Sequence, residues 1–145
     1  MIVLLQRVKK AQVVIQKNIH AEIKTGLLAF VCAEPQDTPE LIDKALKKIL
    51  QLRVFSDAKG KMNLSLQQIK GELLIVSQFT LAADTRKGNR PSFMQSAPPE
   101  QARVLYQAMV ERAHQLHSQV KSGQFAADMQ VHLINDGPVT IPLHF

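Results

Sequence analysis

The 145 residues suffice for one domain with one core, and 46% hydrophobic with 21% charged residues is the balance of an ordinary globular protein. A net charge of +6 suits an anionic partner such as RNA, while six Phe, one Tyr and no Trp argue against a broad stacking platform. The single cysteine excludes an internal disulfide, and no apolar run approaches the ~18 residues of a membrane span.

From the N-terminus the chain reads as strands. "IVLLQRV", "AQVVIQ" and "HAEI" are short and β-rich, with polar breaks between them. The charges of "MIVLLQRVKKAQ" follow its apolar stretch, the reverse of a secretory signal, so a cytoplasmic protein is expected. "GLLAFVCA" is a continuous apolar run after Gly26, which predicts a strand buried on both faces, with Cys32 as a core residue rather than a nucleophile.

The period then changes. In "DTPELIDKALKKILQL" Thr38 is the expected N-cap and Pro39 the first helical residue. Leu41, Ile42, Ala45, Leu46 and Ile49 form an apolar stripe, opposite Lys44, Lys47 and Lys48. "RVFSDAKGKMNLSL" reads as strand, turn at Asp57 to Gly60, and strand; "GELLIVSQFTL" is a strand entering irregular sequence. The loop "AADTRKGNRPSF" carries Arg86, Lys87 and Arg90 and is too long for a tight turn. A second helix is predicted from about Pro99 to Val120, with Gly123 available to end it. "FAADMQVHLI" and "VTIPLHF" are expected as strands on either side of a hairpin at Asn135-Asp136-Gly137. Pro138 sits awkwardly there, because it has no N–H to donate to a ladder. The reading is one α+β domain over residues 1–145, with two main helices on a mostly antiparallel sheet.

A conventional catalytic apparatus does not assemble from these residues. HExxH, CxxC, a phosphate-binding glycine loop and a GxSxG elbow are all missing. His114 and His117 share a helical face but lack a third ligand, and are expected as surface histidines. Ser77 and Thr80, at the end of a buried strand, are the hydroxyls best placed to act. A hydroxyl nucleophile needs a base, and only Asp84 is near in sequence.

"LLQRVKKAQV", "RVFSDAKGKMNLSL", "SQFTLAADTRKGNRPSF" and "NDGPVT", in this order and spacing, resemble the D-aminoacyl-tRNA deacylase family along essentially the whole chain. Many members carry Gly after the Phe of the block that here reads "FAADM", where this chain has Ala126. The resemblance implies a barrel-like α+β fold and a homodimer with active sites at its interface. It implies hydrolysis of the ester between a D-amino acid and the terminal adenosine of tRNA, and of glycyl-tRNA, without metal or cofactor. Ser77, Gln78, Phe79 and Thr80 would form the pocket floor of one subunit. Gly137-Pro138 of the other subunit, in a cis peptide, would face it as the chiral filter. Arg7 would orient that motif, and Phe125 and Met129 would bind substrate, Met129 at the adenosine end. Either Thr80 is the nucleophile, or the substrate's 2′-hydroxyl assists while N–H groups near Phe79 and Thr80 hold the oxyanion; the second is favoured because no base for Thr80 is evident. Lys44, Lys47, Lys48, Arg86, Lys87 and Arg90 are the candidate phosphate contacts. The rival readings are a non-catalytic tRNA-binding module and a general esterase.

Overall fold

A computed structural model describes all 145 residues. The elements run β1 (Ile2–Ile15), β2 (Asn18–Ile23), β3 (Gly26–Cys32), α1 (Pro39–Gln51), β4 (Phe55–Ser56), β5 (Met62–Leu64), β6 (Glu72–Ser77), a 3-10 turn (Phe79–Ala82), α2 (Pro99–Leu116), β7 (Val120–Ser122) and β8 (Gln130–His144). The main sheet has the order β2-β1-β3-β6-β7, with β8 also paired to β1. Strand β1 is antiparallel to β2, β3 and β8, whereas β3–β6 and β6–β7 are parallel. This is the expected single α+β domain with two helices and a barrel-like, mostly antiparallel sheet, to which the parallel pairs add a mixed character. No helix is long and apolar enough to cross a membrane.

Strands β3 and β6 are buried on both faces, as their unbroken apolar sequences require. Leu27, Ala29, Val31, Leu73 and Ile75 point toward the helices and join the larger core. Leu28, Leu74 and Val76 point the other way, into a smaller cluster with Val8, Ala11, Val13 and Ile23. Gly26 pairs with Glu72, and a Cβ there would lie 1.9 Å from Glu72 O, so only glycine lets these strands meet.

The first two expected strands are one. Lys9 and Lys10 are exposed but extended, and nothing in a lysine prevents a strand from continuing. Along β1 the buried residues are Val3 and Leu5, then Val8, then Ala11 and Val13. The spacing lengthens at the two positions where the register with β8 shifts. There the strand twists from one core cluster to the other. The break to β2 is a two-residue turn at Gln16 and Lys17, both at positive φ, as a type I′ hairpin demands.

The expected C-terminal hairpin is absent. Strand β8 runs on through Asn135 to Thr140 and pairs with β1 along both halves. Gln6 faces Thr140 and Val8 faces Asn135, so Asp136 to Val139 are extruded as a bulge. The side chain of Asn135 staples it, accepting from Val139 N at 3.2 Å and donating to Thr140 Oγ1 at 2.8 Å. Turn-type residues here serve a bulge because both uses need a local departure from the ladder.

Helix α1 begins as predicted, with Thr38 extended at the N-cap position and Pro39 opening the helix, although Thr38 makes no side-chain cap bond. Ile42, Ala45, Leu46, Ile49 and Leu50 are buried, and Lys44, Lys47 and Lys48 are exposed. Helix α2 ends at Leu116, short of the expected Val120. His117 is 9% exposed rather than a surface residue, and its Nε2 lies 2.7 Å from Gly71 O. That contact turns the chain inward, and Val120 becomes a strand residue paired with Leu73. Gly123 does not end the helix; it follows β7 and donates its N–H to Ile75 O at 2.8 Å.

Candidate active site

Strand β6 carries the chain to the site. After the buried run Leu73 to Val76, Ser77 and Gln78 are half-buried, and Gln78 N donates to Val31 O at 2.8 Å. Residues Phe79–Ala82 then coil into the 3-10 turn, whose first N–H groups have no acceptor inside it. Gln78 Nε2 donates to Thr80 Oγ1, the one side-chain hydrogen bond that Thr80 makes. Asp84 does not return to Thr80. Arg86 donates to it from Nε at 2.9 Å and from its backbone N–H at 3.0 Å, and this holds the Asp84 carboxyl down at about 2.

Beside this turn lies a cavity of about 650 Å³ with mostly apolar walls. Ser77, Gln78, Phe79, Phe125 and Met129 all line it. The structure thus brings together five of the residues named from the sequence, with Thr80 tied to them through Gln78. Cys32 lines the wall too. It is buried, its Sγ is 3.5 Å from Phe79 O, and burial pushes its thiol up, which suits a packing residue.

Sequence reasoning missed several walls of this cavity. Tyr106, within the predicted second helix, lines it from α2. Its hydroxyl is placed to donate to Ile75 O at 2.9 Å or Gly123 O at 3.1 Å. Its ring packs against Phe125 at 5.9 Å. Burial raises its pKa, so the phenol keeps the proton it donates. Tyr106 thereby ties β6 to the segment that carries Phe125 and Met129. Phe93, in edge-to-face contact with Phe79 at 5.1 Å, and Asp128 also contribute. Only their assembly from separate elements could reveal these. Ala126 lines the cavity at φ +60, the left-handed conformation that a glycine would adopt without cost.

Tyr106→Phe should keep the ring but remove the hydroxyl's donor, leaving Gly123 O short of it while Ile75 O keeps the N–H of Gly123. A loss of about 1–3 kcal/mol is expected, seen as a fall of several degrees in Tm. An unchanged melt would show that the hydroxyl contributes nothing.

Arg7, Gly137 and Pro138 form a second group, outside this cavity. Arg7 lies on β1 opposite the bulge, with its side chain 11% exposed. Its Nε donates to Asp136 O at 3.1 Å and lies 3.2 Å from Asp136 Oδ2, while Nη1 donates to Val54 O at 2.5 Å. The arginine is therefore keyed to the residue before Gly137 rather than merely covering apolar surface. Gly137 and Pro138 are exposed, joined by a cis peptide, and Gly137 has φ +124.

The sequence profile described as D-Tyr-tRNA(Tyr) deacylase matches residues 4–144. A D-aminoacyl-tRNA deacylase of Acidovorax ebreus (strain TPSY) is 58% identical, with 99% of this chain and 97% of the relative covered. One of Pseudomonas fluorescens (strain SBW25) is 57% identical, with 97% of each covered. Among solved structures, a c-Myc DNA unwinding element binding protein superposes with a TM-score of 0.95 at 38% identity, covering 100% of this chain and 99% of that one. A probable eukaryotic D-amino acid tRNA deacylase superposes with a TM-score of 0.84 at 17% identity, covering 98% and 97%, and so shares the fold. With a profile matching residues 4–144 and relatives 57–58% identical over 97% of their length, this chain belongs to the D-Tyr-tRNA(Tyr) deacylase family, whose relatives are named as D-aminoacyl-tRNA deacylases.

Proposed function

We propose that this protein hydrolyses the ester joining a D-amino acid to the terminal adenosine of tRNA, releasing free tRNA and the amino acid in the cytoplasm. The observation that carries this reading is the cavity beside the Ser77–Thr80 segment, apolar enough for a nucleoside and closed by a turn whose first two N–H groups, those of Phe79 and Thr80, are uncommitted. Water adds to the ester carbonyl, the N–H groups of Phe79 and Thr80 hold the resulting oxyanion, and the carbon–oxygen bond to the ribose breaks as that oxygen takes a proton. The substrate's own 2′-hydroxyl assists the proton transfer. Thr80 positions the substrate.

The chiral filter is Gly137-Pro138 of a second subunit. Its exposure on one chain, away from that chain's own cavity, supports a site shared across a homodimer. Gly137 lacks a side chain, so its backbone can approach the chiral carbon closely, with Arg7 holding the segment. Selection is by exclusion of the L side chain.

Deacylation of D-tyrosyl-, L-tyrosyl- and glycyl-tRNA by the purified protein tests the reading. The D-tyrosyl and glycyl esters should be cleaved and the L-tyrosyl ester spared. Salt-sensitive tRNA binding without cleavage would favour a binding module, and cleavage of all esters alike would favour a general esterase.

A further inference from the structure

Beside the cavity the chain exposes apolar surface. Phe79 is 57% exposed, held edge-on by Phe93, and Met94, the next residue, is 91% exposed. Single exposed apolar residues are common, but here Phe79 and half-buried Phe93 line the cavity and exposed Met94 follows directly, a cluster suited to a ligand. The segment is pinned. Asp84 and Ser92 exchange backbone hydrogen bonds at 2.8 and 2.9 Å, Ser96 Oγ donates to Phe93 O at 2.8 Å, and Ala97 N donates to Ala33 O at 2.8 Å. The pairing of Asp84 with Ser92 throws residues 85–91 out as a closed loop next to Phe93. On that loop Arg86 is spent on Asp84, whereas Lys87 and Arg90 are exposed and unpaired.

A fixed apolar lip beside free cations matches the chemistry of single-stranded nucleic acid, whose bases stack on apolar faces while cations meet its phosphates. The geometry points to Phe79, Phe93 and Met94 as a lip that receives the unpaired nucleotide preceding the terminal adenosine, with Lys87 and Arg90 on its phosphates. This rests on the deacylase reading, which puts that adenosine in the cavity. Sulfur and aromatic faces are both polarizable, so Met94 serves as stacking surface despite the scarcity of aromatic residues.

The test compares D-tyrosyl esters of adenosine, of the trinucleotide CCA and of whole tRNA. Wild-type protein should cleave the trinucleotide ester with a lower KM than the adenosine ester, by about tenfold, the scale of one stacked base. Met94→Ala should erase most of that gain and leave the adenosine ester untouched. Lys87→Ala and Arg90→Ala should each remove about 0.7 from the log–log salt slope for the trinucleotide. Equal cleavage of all three esters by the wild type would overturn the lip while leaving the deacylase reading intact. So would a Met94→Ala loss shared equally with the adenosine ester, or one traced by sedimentation to a broken dimer. Cleavage of none would sink both.

Discussion

Gly137→Ala is expected to lower kcat/KM for D-tyrosyl-tRNA by about 100-fold or more while leaving a folded protein, because catalysis tolerates little displacement of a positioning group. The new methyl would lie 2.8 Å from Arg7 Nη2, 2.9 Å from Val139 Cγ2 and 3.2 Å from Val139 N. The backbone sits at φ +124, which side chains rarely adopt, at a strain of about 1–3 kcal/mol. The bulge must therefore shift. With it goes Arg7, whose guanidinium bridges Asp136 O on the bulge and Val54 O ahead of β4. Because Gly137 and Pro138 are exposed and the bulge meets the larger core only through half-buried Val139, the fold should survive with Tm lowered by a few degrees per kcal/mol. Arg7→Lys should act in the same direction, since a single ammonium cannot reproduce a fork that serves two carbonyls. The informative pair of measurements is deacylation and a thermal melt on the same samples. Full activity in Gly137→Ala would remove this segment from the site.

The second large effect concerns the source of the assisting hydroxyl. Replacing the terminal adenosine by its 2′-deoxy analogue should slow deacylation by about 10³ or more, on the order of 4 kcal/mol. Thr80→Ala should slow it only a few-fold. Thr80 Oγ1 accepts from Gln78, and no His or carboxylate hydrogen-bonds to it. Asp84, the one acid near in sequence, is engaged by Arg86 and held at about 2, so it is fully ionised at neutral pH yet a poor acceptor of protons. Without a base a threonine hydroxyl is a weak nucleophile. A ribose hydroxyl adjacent to the ester is already in position. Single-turnover rates with ribo- and deoxy-terminated substrates decide the matter, and an acyl group trapped on Thr80 would reverse the assignment.

Much of this molecule was legible from local signals. The 3.6-residue stripe and Thr38-Pro39 located α1, the unbroken apolar runs located β3 and β6, and the Ser77–Thr80 segment was placed at a strand end because its burial stops there. Such features depend on residues close together in the chain, so the sequence alone determines them. Other features depend on partners far away. Two lysines could not interrupt β1 once β8 offered a partner on both sides of them. Asn135-Asp136-Gly137 became a bulge because β1 was long enough to keep pairing beyond it. Helix α2 lost its last predicted turn to a carbonyl on Gly71 and to the edge of β6, which competed for His117 and Val120. The cavity is the extreme case: Cys32, Phe79, Phe93, Tyr106 and Phe125 lie on separate segments, and the local spacing around each does not show that they share one wall. Tertiary structure decided these because a hydrogen-bonding edge or an apolar wall is a property of two segments at once, and local spacing records only one of them.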